Sequence, residues 1–154
     1  MLFQGKEVSI VVKQSERRYA MMQGDCIFIF SPDTSQADKI LYQWLKDRCS
    51  LVIKQSVWRI SRQMNIEPSA IQIRDQRTRW GSCSSRGVLS FNFRIAFAPR
   101  EVMDYVVVHE LAHLVERNHS KRFWSLVAKN CNGYKEKRAW LRKNGRSLTI
   151  PAFQ

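Results

Sequence analysis

All the imidazole in this chain is confined to eleven residues: its three histidines are His109, His113 and His119. Two of them frame the motif His109-Glu110-Leu111-Ala112-His113, inside the apolar run Val106-Val107-Val108 to Leu114. On a helix, positions i and i+4 lie about 40° apart and about 6 Å along the axis, so both rings reach one point in space. That arrangement suits a metal with nitrogen ligands, and Glu110 is left beside it to handle a proton. The plain alternative is an ordinary amphipathic face with a hydrogen-bonded histidine on it. A third histidine just beyond the helix weighs against that alternative.

The rest of the chain must supply a core that holds this helix. At 154 residues it is long enough for one domain with a real core and too short for two, so 1–154 is read as a single domain. No apolar run approaches the roughly 20 residues of a membrane span, and the N-terminus lacks the pattern of a signal peptide. No membrane and a cytoplasmic setting are therefore the default expectations. Cys26, Cys49, Cys83 and Cys131 form no C-x-x-C pair and are expected to be free thiols. Cys83 is near enough to a motif to approach a metal, but is read as a buried structural thiol.

Charge adds a second constraint. Lys and Arg total 26 against 13 Asp and Glu, a formal net charge of +13. A field of that sign attracts nucleic acid, phosphorylated ligands or acidic protein surfaces. The basic residues are scattered, however, and fit no nucleic-acid-binding motif.

Short apolar runs over residues 6–31, broken at Gln14-Ser15-Glu16 and Gln23-Gly24-Asp25, predict a three-stranded antiparallel meander that Pro32 ends. Thr34 or Ser35 is placed to cap a helix, with Ile40, Leu41, Trp44, Leu45, Arg48, Leu51 and Val52 at helical spacing. Val57, Ile60 and Met64 continue it, as one long helix or as two with a break near Ser50, ending by Asn65. This meander and helix make up residues 1–70. Strands follow at 71–74 and 78–83, and a turn at Ser84-Ser85-Arg86-Gly87 closes a hairpin over 78–94. The strand edge beside a metal offers main-chain pairing to an extended peptide.

A helix from about Pro99 to Val115 carries the paired histidines, and Asn118, in the left-handed conformation, is expected to stop it. Ser120 is placed to cap the next helix, through Phe123, Trp124, Leu126 and Val127. The last helix runs from Tyr134 to Lys143. The expected fold class is α+β: a small antiparallel or mixed sheet packed on helices, one of them carrying the site.

Two histidines leave a zinc site incomplete, since catalytic sites usually have three protein ligands and one open position. His119 is the leading third ligand, because the turn before it lets the chain fold back; Glu116 is the runner-up on the same helical face. Three neutral imidazoles leave zinc its full charge, and a bound water then ionises near neutral pH. Glu110, about 100° around the helix from His109, is poised to meet that water rather than ligate. Tyr105, Arg117 and Tyr134 are candidates for stabilising an oxyanion. Each has a structural or solvent-facing role as the alternative. Trp80-Gly81-Ser82 is read either as a wall of the substrate cleft or as a packed tryptophan beside a close backbone contact.

Taken in order, Arg79-Trp80-Gly81-Ser82-Cys83, the hairpin, His109-Glu110-Leu111-Ala112-His113, Asn118-His119-Ser120 with Phe123-Trp124, and Tyr134-Lys135-Glu136 with Trp140-Leu141 resemble the YgjP-like metallopeptidases. These are minimal zincins related to the SprT-like group. The resemblance covers about residues 71–144, the expected metallopeptidase core. The paired cysteines of the ribbon in some SprT-like relatives are missing. The resemblance implies zinc ligands at His109, His113 and His119, a catalytic base at Glu110, and a small sheet with the active helix beneath it. The expectation is thus a zinc metallopeptidase acting on peptide or protein substrates.

Two rival readings stand beside it. The same site could hydrolyse a nucleotide phosphoanhydride, with Arg74, Arg77, Arg79, Arg86 and Arg94 around the hairpin to hold phosphates. A basic nucleic-acid-binding module with a structural metal is the other, although such a site has no need of Glu110.

Overall fold

In the computed structural model, which describes residues 1–76 and 78–151, the most apolar strands take the centres of two small sheets. In the first, β3 (Ser9–Gln14), β4 (Tyr19–Gln23) and β5 (Cys26–Ser31) lie in the order β3-β5-β4. The chain therefore does not meander. β3 skips one place and runs parallel to β5, from Ser9 opposite Cys26 to Gln14 opposite Ser31, and β4 pairs antiparallel with β5. The reason lies in β5, whose Ile27, Ile29 and Ser31 are fully buried while β3 and β4 bury nothing completely. The strand with most to bury goes where both ladders and one face are covered. Before this sheet, β1 (Leu2–Phe3) and β2 (Lys6–Glu7) form a short hairpin that the sequence pattern did not announce. It anchors through Gln4 and Gly5 N–H groups, which donate to Ala96 and Phe97 carbonyls.

The long helix α1 (Ala37–Met64) is unbroken. Ala37, Leu41, Leu45, Cys49, Ile53, Val57 and Ile60 are its buried stripe, and with no Gly or Pro inside it nothing forces a break at Ser50. The entry is capped by Asp33, not by Thr34 or Ser35: its carboxylate accepts from Ser35 N–H at the start of a 3₁₀ turn over Thr34–Gln36. Asn65, in the left-handed conformation at φ 53°, closes the other end.

The second sheet repeats the topology of the first. β6 (Ala70–Arg74), β7 (Gly81–Cys83) and β8 (Val88–Asn92) lie in the order β6-β8-β7, with β6 parallel and β7 antiparallel to β8. The expected hairpin is present, with Gly87 in its turn at φ 76°. Its first strand is only three residues long, which leaves β7 a short edge.

Asn92 then caps a 3₁₀ turn over Phe93–Phe97, buried except for Arg94. The chain next enters α2 (Arg100–Ala112), with Pro99 at the N-cap. Most of α2 is buried, and it packs on α1 and on β7. Asp104 ties it to α1, accepting from Ser56 Oγ and, at 2.6 Å, from the Arg59 guanidinium. α3 (Lys121–Asn130) and α4 (Tyr134–Asn144) follow, both packed on α2, and a 3₁₀ turn over Gly145–Ser147 comes after them. One apolar core runs from Phe3 to Leu148 and draws on both three-stranded sheets and all four α-helices. The architecture is α+β. Among the described residues no helix is long and apolar enough to cross a membrane.

Candidate active site

α2 stops at Ala112, three residues short of the expected end, and this early stop shapes the site. His113 is its C-cap, and the backbone turns tightly as Leu114, Val115 and Glu116 N–H groups donate to Leu111 and Ala112 carbonyls. Asn118 plays no left-handed part; among the described non-glycine residues only Gln4 and Asn65 have positive φ. The turn brings His119 back over α2. Ser120 then caps α3 as expected, its Oγ accepting from Phe123 N–H.

The three imidazoles converge. His119 Nε2 lies 3.1 Å from His113 Nε2 and 3.1 Å from His109 Nε2, and the candidate ligand atoms all fall within 4.8 Å of one another. Tetrahedral zinc with bonds of 2.0–2.1 Å would set neighbouring nitrogens about 3.3 Å apart. Where these nitrogens carry no proton their lone pairs face one another, and a cation between them removes that repulsion. The donor set fits zinc. Neither Glu116 nor Cys83 belongs to the set. Glu116 serves instead through its backbone, whose carbonyl lies 3.1 Å from His113 Nδ1; a donated N–H there leaves Nε2 free to ligate. Cys83, half-buried rather than buried, points its thiol at the Ser84 carbonyl.

α3 supplies an aromatic backing. Phe123 stacks on His113 with ring centroids 4.5 Å apart, and Trp124 stacks on His119 at 5.7 Å. Tyr134 lies flat against Trp124, and the Arg138 guanidinium also sits over that indole. Burial, reinforced by His113 and His119, pulls the His109 pKa down to about 3, so the ring is neutral as a ligand must be. Its Nδ1 is buried without a partner among the described residues.

Glu110 is 6% exposed, packs against Gly81 of β7, and lines one cavity with the three histidines. Burial pushes its carboxyl up to about 7, a value suited to exchanging protons near neutrality. The carboxylate fits only because residue 81 is glycine: a Cβ there would fall 2.6 Å from Glu110 Cγ. Both readings of Trp80-Gly81-Ser82 thus apply, since the close backbone contact is itself part of the cleft. Gly81, Ser82 and Cys83 line a cavity of about 480 Å³ with His109, Glu110, His113 and His119. β7 is the edge of its sheet there.

Of the oxyanion candidates, only Arg117 lines this cavity, with its guanidinium 3.4 Å from the Ser85 carbonyl. Tyr105 is buried beside His109, with burial raising its phenol to about 12, and Tyr134 is held in the stack on Trp124. Sequence reasoning missed Arg138, which shares a concavity with His109, His119 and Trp124. Its only signal was a position one helical turn after Tyr134. Of the arginines expected to gather around the hairpin, only Arg79 lines the cavity of the histidines among the described residues. Arg74 turns to Gln72, Arg94 pairs with Asp75, and Arg77 lies outside the described residues.

Comparison with known proteins adds the fold and the family. The chain is similar to the metallopeptidase zymogen abylysin of Pyrococcus abyssi, with a TM-score of 0.54 and 22% identity over 65% of this chain and 99% of that one. It is also similar to the zymogen of Methanocaldococcus jannaschii jannalysin, with a TM-score of 0.52 and 23% identity over 62% of this chain and 96% of that one. At such identities the likeness is one of fold. No curated protein sequence matches the chain. The family profile described as YgjP-like, metallopeptidase domain, matches residues 1–144, so it takes in the N-terminal sheet and α1 as well as the stretch from 71 onward. The chain belongs to the YgjP-like metallopeptidase family.

Proposed function

We propose that this metallopeptidase is a zinc enzyme that hydrolyses peptide bonds, with His109, His113 and His119 as metal ligands and Glu110 as general base. The observation that carries the reading is the meeting of three imidazole Nε2 atoms beside a buried carboxylate of raised pKa. Bound there, zinc would supply a Lewis acid that acidifies water and polarises a carbonyl. The chain's own residues do the rest. His113 is oriented by the Glu116 carbonyl, and Phe123 and Trp124 hold the rings in place. Glu110 takes the proton from the attacking water and delivers it to the leaving amine. The outer edge of β7 gives an extended substrate main-chain partners beside the same cavity, which fixes its carbonyl relative to Glu110.

The whole chain is read as one domain, because a single core joins the two sheets and α1 to α2. The test is cleavage of β-casein by zinc-loaded wild type and Glu110→Gln. The variant is expected to keep its metal and lose roughly 10²- to 10⁴-fold in rate. Equal rates would remove Glu110 from the chemistry.

A further inference from the structure

A second, roomier cavity contains none of the histidines. It holds about 810 Å³ and shares Arg79, Trp80 and Leu141 with a smaller concavity of about 220 Å³ that reaches Gly81, His109 and Glu110. The two are neighbours across the Trp80 indole, which is seated against Gly145: a Cβ there would come within 3.0 Å of its ring.

The charge of this cavity is one-sided. Arg79, Arg94, Arg142 and Arg146 line it, and Asp75 is the one carboxylate among its described walls. Asp75 is already committed, to the Arg94 guanidinium and to Tyr42 Oη at 2.9 Å. That leaves Arg79, Arg142 and Arg146, all exposed and with no carboxylate partner among the described residues. Three uncommitted guanidiniums in a concave site select for an anion.

Two further features choose which anion. Leu141, Leu148 and Ile150 make part of the wall apolar, which suits the aliphatic stem of an acidic side chain better than a hydrated phosphate chain. Gln76 Oε1 is buried in the same wall without a partner among the described residues, and a peptide N–H can satisfy it where a phosphodiester cannot. The position relative to the chemistry also fits. Arg79 and Trp80 immediately precede Gly81, which faces Glu110, and an extended chain advances about 3.3 Å per residue.

We propose that this cavity is a subsite for acidic side chains. It takes an Asp or Glu about two to three residues from the scissile bond of a peptide, held by Arg79, Arg142 and Arg146. The proposal rests on the peptidase reading above, and it makes the enzyme selective for acidic substrates.

The test is binding of two fluorescein-labelled peptides that differ only in Glu or Gln at those positions. Anisotropy is read on the full-length Glu110→Gln chain supplied with zinc, with a labelled single-stranded oligonucleotide as a third probe. The Glu peptide is expected to bind about tenfold or more tightly than its Gln counterpart. That ratio should collapse toward one in Arg142→Gln/Arg146→Gln and persist in Arg48→Gln/Lys54→Gln, which removes equal charge from α1. A ratio near one at the outset, or one that survives loss of Arg142 and Arg146, overturns the proposal. So does an oligonucleotide that binds more tightly than the Glu peptide and is weakened by the same two substitutions. Cleavage of both peptides by the chain with Glu110 intact separates the two claims. Equal cleavage removes the subsite and leaves the peptidase, whereas selective binding without cleavage of either removes the peptidase and leaves the acidic site standing.

Discussion

Gly81 and Glu110 are packed so closely that a side chain on either limits the other: a Cβ on residue 81 would lie 2.6 Å from Glu110 Cγ and 2.7 Å from its Oε1. The β7 edge and the proposed catalytic base therefore set each other's position. Gly81→Ala must push the carboxylate aside, while the imidazoles, held by the turn after α2 and by α3, stay where they are. The expected result is unchanged zinc content with peptide cleavage reduced about 10²-fold, the usual consequence of misplacing a reacting group by about 1 Å. Full activity in Gly81→Ala would show that Glu110 is free to take another position.

Ser120 joins the site to the start of a helix. Its hydroxyl caps α3 one residue after His119, so the cap fixes the direction from which that imidazole arrives. Ser120→Ala is expected to cost about 1 kcal/mol of stability and to weaken zinc binding as well. Thermal denaturation and a zinc competition titration measure the two effects. A loss of stability with unchanged zinc affinity would uncouple the cap from the ligand.

Much of this architecture was legible because its signals are local. The histidine spacing, the Ser120 cap and the hairpin around Gly87 each depend on residues within a few positions of one another. What was not legible depends on contacts between distant segments. The order β3-β5-β4 follows from the greater burial of β5, whereas adjacent runs in the sequence suggest a meander. The end of α2 at Ala112 is set by the tight turn at 113–116, not by the propensity of Asn118. The need for glycine at 81 arises from Glu110, and the arginines at 142 and 146 meet Arg79 only once α4 is folded beside Trp80. Grouping arginines by sequence proximity instead brought together Arg74, Arg77, Arg79, Arg86 and Arg94, of which Arg74 turns to Gln72, Arg94 pairs with Asp75 and, among the described residues, only Arg79 lines the histidine cavity.

Cys49 offers a check on the core under α1. It is fully buried in the apolar stripe, and burial pushes its thiol up to about 12 from an ordinary value of 9.0. A thiol whose folded pKa is raised stays protonated in the folded chain while the unfolded chain ionises. Its contribution is complete below pH 9 and is lost as pH rises toward 12. Between pH 8 and pH 10 the wild type should lose roughly 1 kcal/mol more stability than Cys49→Ala, read as the shift in urea midpoint. Equal losses in the two proteins would mean that Cys49 ionises in the folded state as freely as in water.

The central claim is that His109, His113 and His119 together hold one metal ion. Elemental analysis of the full chain after zinc loading and removal of free metal tests it most directly, for wild type and His119→Ala side by side. The account predicts about one zinc per chain in wild type and a sharp loss in the variant. Wild type without zinc, or a variant that retains a full equivalent, would contradict it.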